Sequence, residues 1–252
     1  MSFDVAAEAY DRFMGRYSKP LSPQLADLAG VRAGQRALDV GCGPGALTAE
    51  LVARLRPEAV SAVDPSEPFV EAVRTRYPGV AVVQASAEDL PFGDGIFDVV
   101  LAQLVVHFMA DHVQGLAEMA RVTRRDGVVA ACVWDHGGSQ GPLRVFWQAA
   151  RELDPGIADE SHLAGVREGH LAELFGAAGL REIKEATLSV SVEHRSFDEW
   201  WEPFTRGVGP AGAHVISLSP ERQIELRERS RALVPKAPFV VTVKAWAARG
   251  LA

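Results

Sequence analysis

A short apolar run ending in a glycine-rich turn, Leu38-Asp39-Val40-Gly41-Cys42-Gly43-Pro44-Gly45, limits what this chain can fold into more than any other feature. Glycines at 41, 43 and 45 lie between a strand-length run and a helix-period segment. The backbone must turn tightly there and let a ligand approach its amides. Residues 41 to 46 also satisfy the pattern GxGxxG/A, with Ala46 in the last place, and Asp64 ends the next apolar run. A carboxylate at that distance is placed to bind the vicinal hydroxyls of a ribose.

Two ribose-bearing cofactors need such an acid, a nicotinamide dinucleotide and S-adenosylmethionine, so Asp64 does not choose between them. Asp39 does. It sits two residues before Gly41 at the end of a buried strand, where a carboxylate needs a cation or hydrogen bonds to compensate it. A pyrophosphate would bring like charge into the turn. The methionine part of S-adenosylmethionine brings an ammonium and a sulfonium, a pairing favourable by roughly a few kcal/mol at a partly screened site. Asp39 can also cap amides of the turn, which is compatible with ligand binding.

Around the turn, strand-length runs alternate with helix-period segments. Ala37 to Val40, Val60 to Val63, Val80 to Val83, Phe97 to Val106 and Val128 to Trp134 read as strands. Between them, Ala46 to Leu55, a segment capped by Ser66, and the stripe Val113, Leu116 and Ala120 read as helices. This spacing predicts an α/β fold: a doubly wound, mostly parallel, seven-stranded Rossmann-like sheet. Thr187 to Val192 and Phe239 to Ala247 are expected to close it as an antiparallel edge pair. Leu143 to Leu153, Leu171 to Ala178, a helix opened by the capping box Ser196-Phe197-Asp198-Glu199, and one started by Ser219-Pro220 complete the reading. We expect a single domain over 1–252. Residues 1–35 would cover the cofactor, 36–135 form the binding core, and 136–170 and 195–236 insert a helical lid over the strand ends.

Composition narrows the function. Twenty-six basic residues against thirty-three acidic ones give a formal charge of −7 and a pI near 5.5, the opposite of a general nucleic-acid binder. Only four of the basic residues are lysine. The longest uncharged run near the middle, Val99 to Ala110, is too short to cross a bilayer, so no membrane partner is expected. Met1 to Glu8 lacks the features of a signal peptide, which points to the cytosol. Cys42 and Cys132 form neither a CxxC pair nor a disulfide framework, and the histidines lack metal-like spacing, so no metal is expected.

LDVGCGPG at 38–45, AVDPSE at 62–67, SAEDLPF at 86–92, FDVVLAQLVVHF at 97–108 and EMARVTRRDG at 118–127 occur in order. Together they resemble the class I S-adenosylmethionine-dependent methyltransferases, in the ubiquinone/menaquinone-methyltransferase-like branch, over about Tyr10 to Trp134. The resemblance implies methyl transfer with S-adenosyl-L-methionine as cofactor. Backbone at Gly41, Cys42 and Gly43 would line the methionine part beside Asp39, and Asp64 would take the ribose. Pro65, Ser66, Ala87 and Glu88 would border the adenine, with Ser86 where many relatives carry aspartate. Gln103 would offer its carbonyl, while Tyr10 and Arg16 belong to the leading helix that folds over the cofactor.

His107, directly after the fourth strand, has two readings: a neutral imidazole that accepts a proton from the acceptor, or a packing residue. His136, after Trp134-Asp135, is a weaker candidate for the same role and reads rather as a solvated loop residue. Trp134, Trp147, Trp200 and Trp201 are candidates for an apolar acceptor pocket, set against the commoner meaning of such stripes as core. Trp200 and Trp201 diverge by about 100° on a helix, so one is expected in the core and the other in the lid. The acceptor is expected to be a small, partly apolar organic molecule. An NAD-dependent oxidoreductase and a non-catalytic binding module are the alternatives.

Overall fold

A computed structural model describes residues 10–138 and 140–252. The Met1 to Glu8 segment and the first nine residues of the expected N-terminal cover lie outside them. Seven strands run β1 (Ala37–Val40), β2 (Val60–Asp64), β3 (Ala81–Gln84), β4 (Phe97–Gln103), β5 (Thr123–Trp134), β6 (Arg181–His194) and β7 (Phe239–Leu251). Nine α-helices accompany them among the described residues: α1 (Arg16–Ala29), α2 (Ala46–Arg54), α3 (Glu67–Arg76), α4 (His112–Val122), α5 (Arg144–Leu153), α6 (His170–Ala177), α7 (Phe197–Trp201), α8 (Gly209–Ser217) and α9 (Pro220–Leu233).

The sheet order is β3-β2-β1-β4-β5-β7-β6. The first five strands are parallel to one another, and β7 runs antiparallel to both β5 and β6. The expected doubly wound sheet is therefore present, with β7 inserted between β5 and the edge strand β6. The near-continuous apolar runs are explained by burial on both faces. Along β5, Ala130, Cys132 and Trp134 face one hydrophobic cluster, and Val129, Ala131 and Val133 face the other. The first cluster includes Leu21 and Leu25 of α1, Leu47 and Leu51 of α2 and Val70 and Val73 of α3. The second includes Leu116 and Met119 of α4 and Leu171 and Phe175 of α6. Each such fully buried side chain contributes roughly 1.5–3 kcal/mol.

Two local readings change. The run Phe97 to Val106 leaves the sheet at Gln103, because Leu104 adopts φ +63° and the chain then winds into a short 3-10 turn at Val106–Phe108. A non-glycine residue in that region costs of order 1–3 kcal/mol, offset here by the Leu104 amide donating to the Cys132 carbonyl at 2.8 Å. Ser66 does begin α3, but its hydroxyl caps nothing and is buried without a partner.

A third cluster lies apart from the sheet. Phe146 and Trp147 of α5, Phe197, Trp200 and Trp201 of α7, and Phe204 pack with Phe13 and Met14. Phe146 stacks on Phe204 at 4.7 Å and Phe13 meets the same ring edge-on at 5.0 Å. The capping box expected at Ser196 is present, with Ser196 Oγ accepting from the Glu199 amide at 3.1 Å. Glu199 in turn accepts from the Arg195 amide at 2.8 Å. The expectation that one of Trp200 and Trp201 faces a lid is corrected. Both are buried, at 4% and 5% exposure, because α7 is only five residues long and is covered on both sides within this cluster. Trp200→Ala and Trp201→Ala are each predicted to lose about 3–5 kcal/mol in urea unfolding. Ile224→Ala, at a position 63% exposed, should stay within about 0.5 kcal/mol.

Candidate functional site

The ends of β1 and β2 bring two carboxylates to the glycine turn. Asp39 is 1% exposed; its Oδ2 accepts from the Thr48 hydroxyl at 2.6 Å and its Oδ1 has no partner. Burial pushes its carboxyl up to about 7, against the Thr48 hydrogen bond that lowers it. Asp64 spans the turn instead. Its Oδ2 accepts from the Gly43 amide at 2.8 Å and its Oδ1 from the Ser66 amide at 2.9 Å. Burial raises this carboxyl and the two amides pull it back.

The turn is glycine for two separate reasons. A Cβ on Gly41 would sit 2.4 Å from the Val105 side chain, while one on Gly43 would enter open space, and both residues have positive φ. The Gly41 and Cys42 amides donate to the Val63 carbonyl at 2.8 and 2.9 Å. Burial raises the Cys42 thiol well above its ordinary value, so it packs as a neutral side chain.

Next to the turn is a cavity of about 200 Å3 lined by Gly41, Pro65, Ala85, Ser86, Ala87, Glu88, Val105, Phe108 and Met109. Of the expected adenine-edge residues it gathers Pro65, Ser86, Ala87 and Glu88. Glu88 accepts from the Ala110 amide at 2.7 Å, which ties this loop to the end of the 3-10 turn. The EMARV motif has a mechanical role that its spacing alone does not reveal. Arg121 donates to the Leu90 and Phe92 carbonyls at 3.0 and 2.8 Å, and Glu118 accepts from the Leu90 amide at 3.0 Å. The clamp fixes the segment that carries Ser86 to Glu88.

His107 is 4% exposed and its Nδ1 has no hydrogen-bond partner. Burial, then the neighbouring His136 and His112, hold its pKa well below the ordinary value, so the ring is neutral at physiological pH. It lines a second cavity, about 40 Å3, with Tyr10, Phe13, Met14, Leu104, Phe108, Trp134, His136, Leu143 and Glu160 among its walls. His136 is not the solvated loop residue expected. It is half-buried, its ring lies 6.1 Å from that of His107, and burial lowers its pKa to about 4. Burial and then the charge of Asp64 push the Tyr10 phenol up to about 12.

The other candidates divide. Trp134 borders the His107 cavity, and Trp147 borders a neighbouring polar one. Trp200 borders only a crevice of about 10 Å3, which also takes in Arg16. Arg16 turns toward the cap, with Nη1 3.0 Å from His194 Nδ1 and 3.6 Å from Glu199. The Gln103 amide donates to the Ser18 carbonyl at 3.0 Å, and its Oε1 is buried without a partner. Thr48, Glu118, Arg121 and Glu160 were not singled out from sequence. Thr48 carries the clearest signal, since it lies in the first turn of the helix that leaves the glycine loop.

Comparison with known proteins agrees with this geometry. Residues 38–131 match the family model "Methyltransferase domain". The demethylmenaquinone methyltransferase of Clavibacter sepedonicus is 30% identical over 225 residues, covering 84% of this chain and 91% of that protein. An uncharacterised Mycobacterium tuberculosis protein is 30% identical over 166 residues, 62% of this chain; the match spans only 60% of that relative's length. The solved YcgJ protein of Bacillus subtilis shares the fold with a TM-score of 0.58, at 22% identity, over 92% of this chain and 97% of its own. The chain belongs to the class I S-adenosylmethionine-dependent methyltransferases. An antiparallel β7 between β5 and β6 also departs from the all-parallel order of dinucleotide-binding sheets.

The residues present fit the cofactor of that family. Asp39 has a buried carboxylate oxygen without a partner, which would suit a cation, Gly43 leaves space for a ligand, and Asp64 keeps lone pairs beyond its two amide bonds. Asp64→Ala is predicted to weaken S-adenosylhomocysteine binding by about 1–3 kcal/mol, read by calorimetry. Asp39→Asn should also weaken it, through loss of charge. Wild-type affinity in both variants would mean that the cofactor binds elsewhere.

Proposed function

We propose that this chain transfers a methyl group from S-adenosyl-L-methionine to a small, partly apolar organic molecule, and that it falls in the ubiquinone/menaquinone-methyltransferase-like branch of its family. One observation carries the reading: the cavity beside the glycine turn and the cavity of His107 share Phe108 as a wall. Phe108 is thus the boundary between the space beside the glycine turn, where the cofactor would lie, and the space at His107, where an acceptor would lie. The 30% identity to the Clavibacter sepedonicus enzyme supports the branch.

When bound, the cofactor supplies an electrophilic methyl on a cationic sulfur. Asp39 binds its ammonium, Asp64 its ribose hydroxyls, and Pro65, Ser86, Ala87 and Glu88 flank the adenine. Tyr10, with Phe13 and Met14 of the short π-helix Asp11–Gly15, would cover the site from the side of the His107 cavity. The chain's remaining task is positional: to hold the nucleophile in line and exclude water. Phe13, Met14, Leu104, Phe108, Trp134 and Leu143 supply that dry wall. His107, neutral and with Nδ1 unpartnered, accepts a proton from an acceptor whose nucleophile arrives protonated. The helices of the third cluster stand over this cavity as the acceptor-side cover, and Val208 and Gly209 border it directly.

His107→Ala is predicted to cut methyl transfer by roughly 10²–10⁴-fold while S-adenosylhomocysteine affinity stays near wild type. The measurement is transfer of labelled methyl from S-adenosylmethionine into extractable products of a metabolite mixture. Unchanged transfer in His107→Ala would remove it as the base. No transfer by the wild type from any mixture, with the cofactor bound, would favour a binding module.

A further inference from the structure

The His107 cavity holds only about 40 Å3, room for a few heavy atoms. The body of an acceptor must therefore lie elsewhere, and a cavity of about 300 Å3 adjoins it. His136 and Glu160 line both spaces. The larger space is polar, with Asp135, Arg144, Arg151, Asp159 and Glu160 in its walls. Its charges are not evenly spread. Arg151 is consumed by an ion pair with Asp159, and Arg144 lies exposed at the rim, where water screens it. Asp135 and Glu160 are the deep ones, at 0% and 5% exposure. Asp135 Oδ1 accepts from the Gly138 amide at 2.6 Å, and its Oδ2 has no partner. Glu160 accepts from the Trp147 indole on Oε2, and no guanidinium or ammonium among the described residues pairs with it. Burial pushes its carboxyl up to about 7, although the indole N–H bond opposes the shift. A buried acid that no protein cation compensates is the electrostatic complement of a ligand cation.

We propose that the 300 Å3 cavity is the outer half of the acceptor site, and that Glu160, seconded by Asp135, recognises an amine carried by the acceptor. The reactive end of that molecule reaches past His136 to His107, while its ammonium stays against Glu160 with Trp147 alongside. Acceptors carrying a carboxylate at the same place are repelled. This rests on the methyl-transfer reading, since it names the acceptor of that same site.

The probes are phenethylamine and phenylacetate, which share an aromatic body and differ in the charge of the pole. They are titrated by calorimetry into protein saturated with S-adenosylhomocysteine, at about pH 8, where Glu160 is ionised. The amine should bind wild type at least about tenfold more tightly than the acid, the size of one charge-assisted hydrogen bond. Glu160→Gln, which keeps an acceptor for the Trp147 indole, should abolish the preference and leave S-adenosylhomocysteine affinity unchanged. Arg144→Ala at the rim should retain it. Equal or tighter binding of phenylacetate to wild type, no binding of the amine, or a preference that survives in Glu160→Gln would each overturn the proposal. The wild-type comparison decides the matter even if a variant fails to fold. Failure of wild type to bind S-adenosylhomocysteine would instead overturn the methyl-transfer reading, and this proposal with it.

Discussion

Asp39 holds a carboxylate in the sheet interior with a single side-chain donor, Thr48, and leaves one oxygen with nothing to bind. Such a group is expensive to bury unless something meets it, and the turn that follows it is open at Gly43. The parallel register of β1 and β2 sets Val40 beside Val63, which brings Asp39 and Asp64 to neighbouring strand ends. Asp64 then spends its hydrogen bonds on the turn itself, at the amides of Gly43 and Ser66. One carboxylate ties the turn together, and the other keeps a buried oxygen without a partner. A carboxyl whose pKa is raised by folding also weakens the free protein as pH rises from the ordinary aspartate range to about 7. A bound cation reverses that loss.

The His107 cavity depends on where the fourth strand stops. Leu104 in the left-handed region turns the chain out of the sheet, so that Val105 covers Gly41 and His107 enters the interior. Phe108 then becomes the partition between the two cavities. The loop opposite is held by Arg121 and Glu118 of α4. Strain at Leu104 and the α4 clamp are thus two ways of fixing the same narrow region, where a misplacement of about 1 Å matters most.

Much of this was legible in the sequence, and the reasons are specific. The alternation from Ala37 to Trp134 is strong because both sheet faces are buried, and the glycine turn and Asp64 follow from what a tight strand-to-helix turn requires. The antiparallel pair was also readable, although β6 and β7 extend well beyond their alternating segments, to Arg181–His194 and Phe239–Leu251. What failed to show were the contacts made between distant segments. Nothing in the string places Glu160 near His107, or Arg121 on the carbonyls of Leu90 and Phe92. The stop at Gln103 was hidden because leucine gives no local signal for a positive φ. Trp200 and Trp201 misled for a related reason: helical spacing separates two faces, but a five-residue helix inside an aromatic cluster can bury both.

Among the described residues no helix is long and apolar enough to cross a membrane. The decisive measurement is the number of protons exchanged when S-adenosylhomocysteine binds, from calorimetry in buffers of different ionisation enthalpy near pH 7. Asp39 is partly protonated there in the free protein, and an ammonium beside it favours the carboxylate. Binding should therefore release roughly half a proton, and Asp39→Asn should release none. No proton release by wild type, or the same release in Asp39→Asn, would contradict the account.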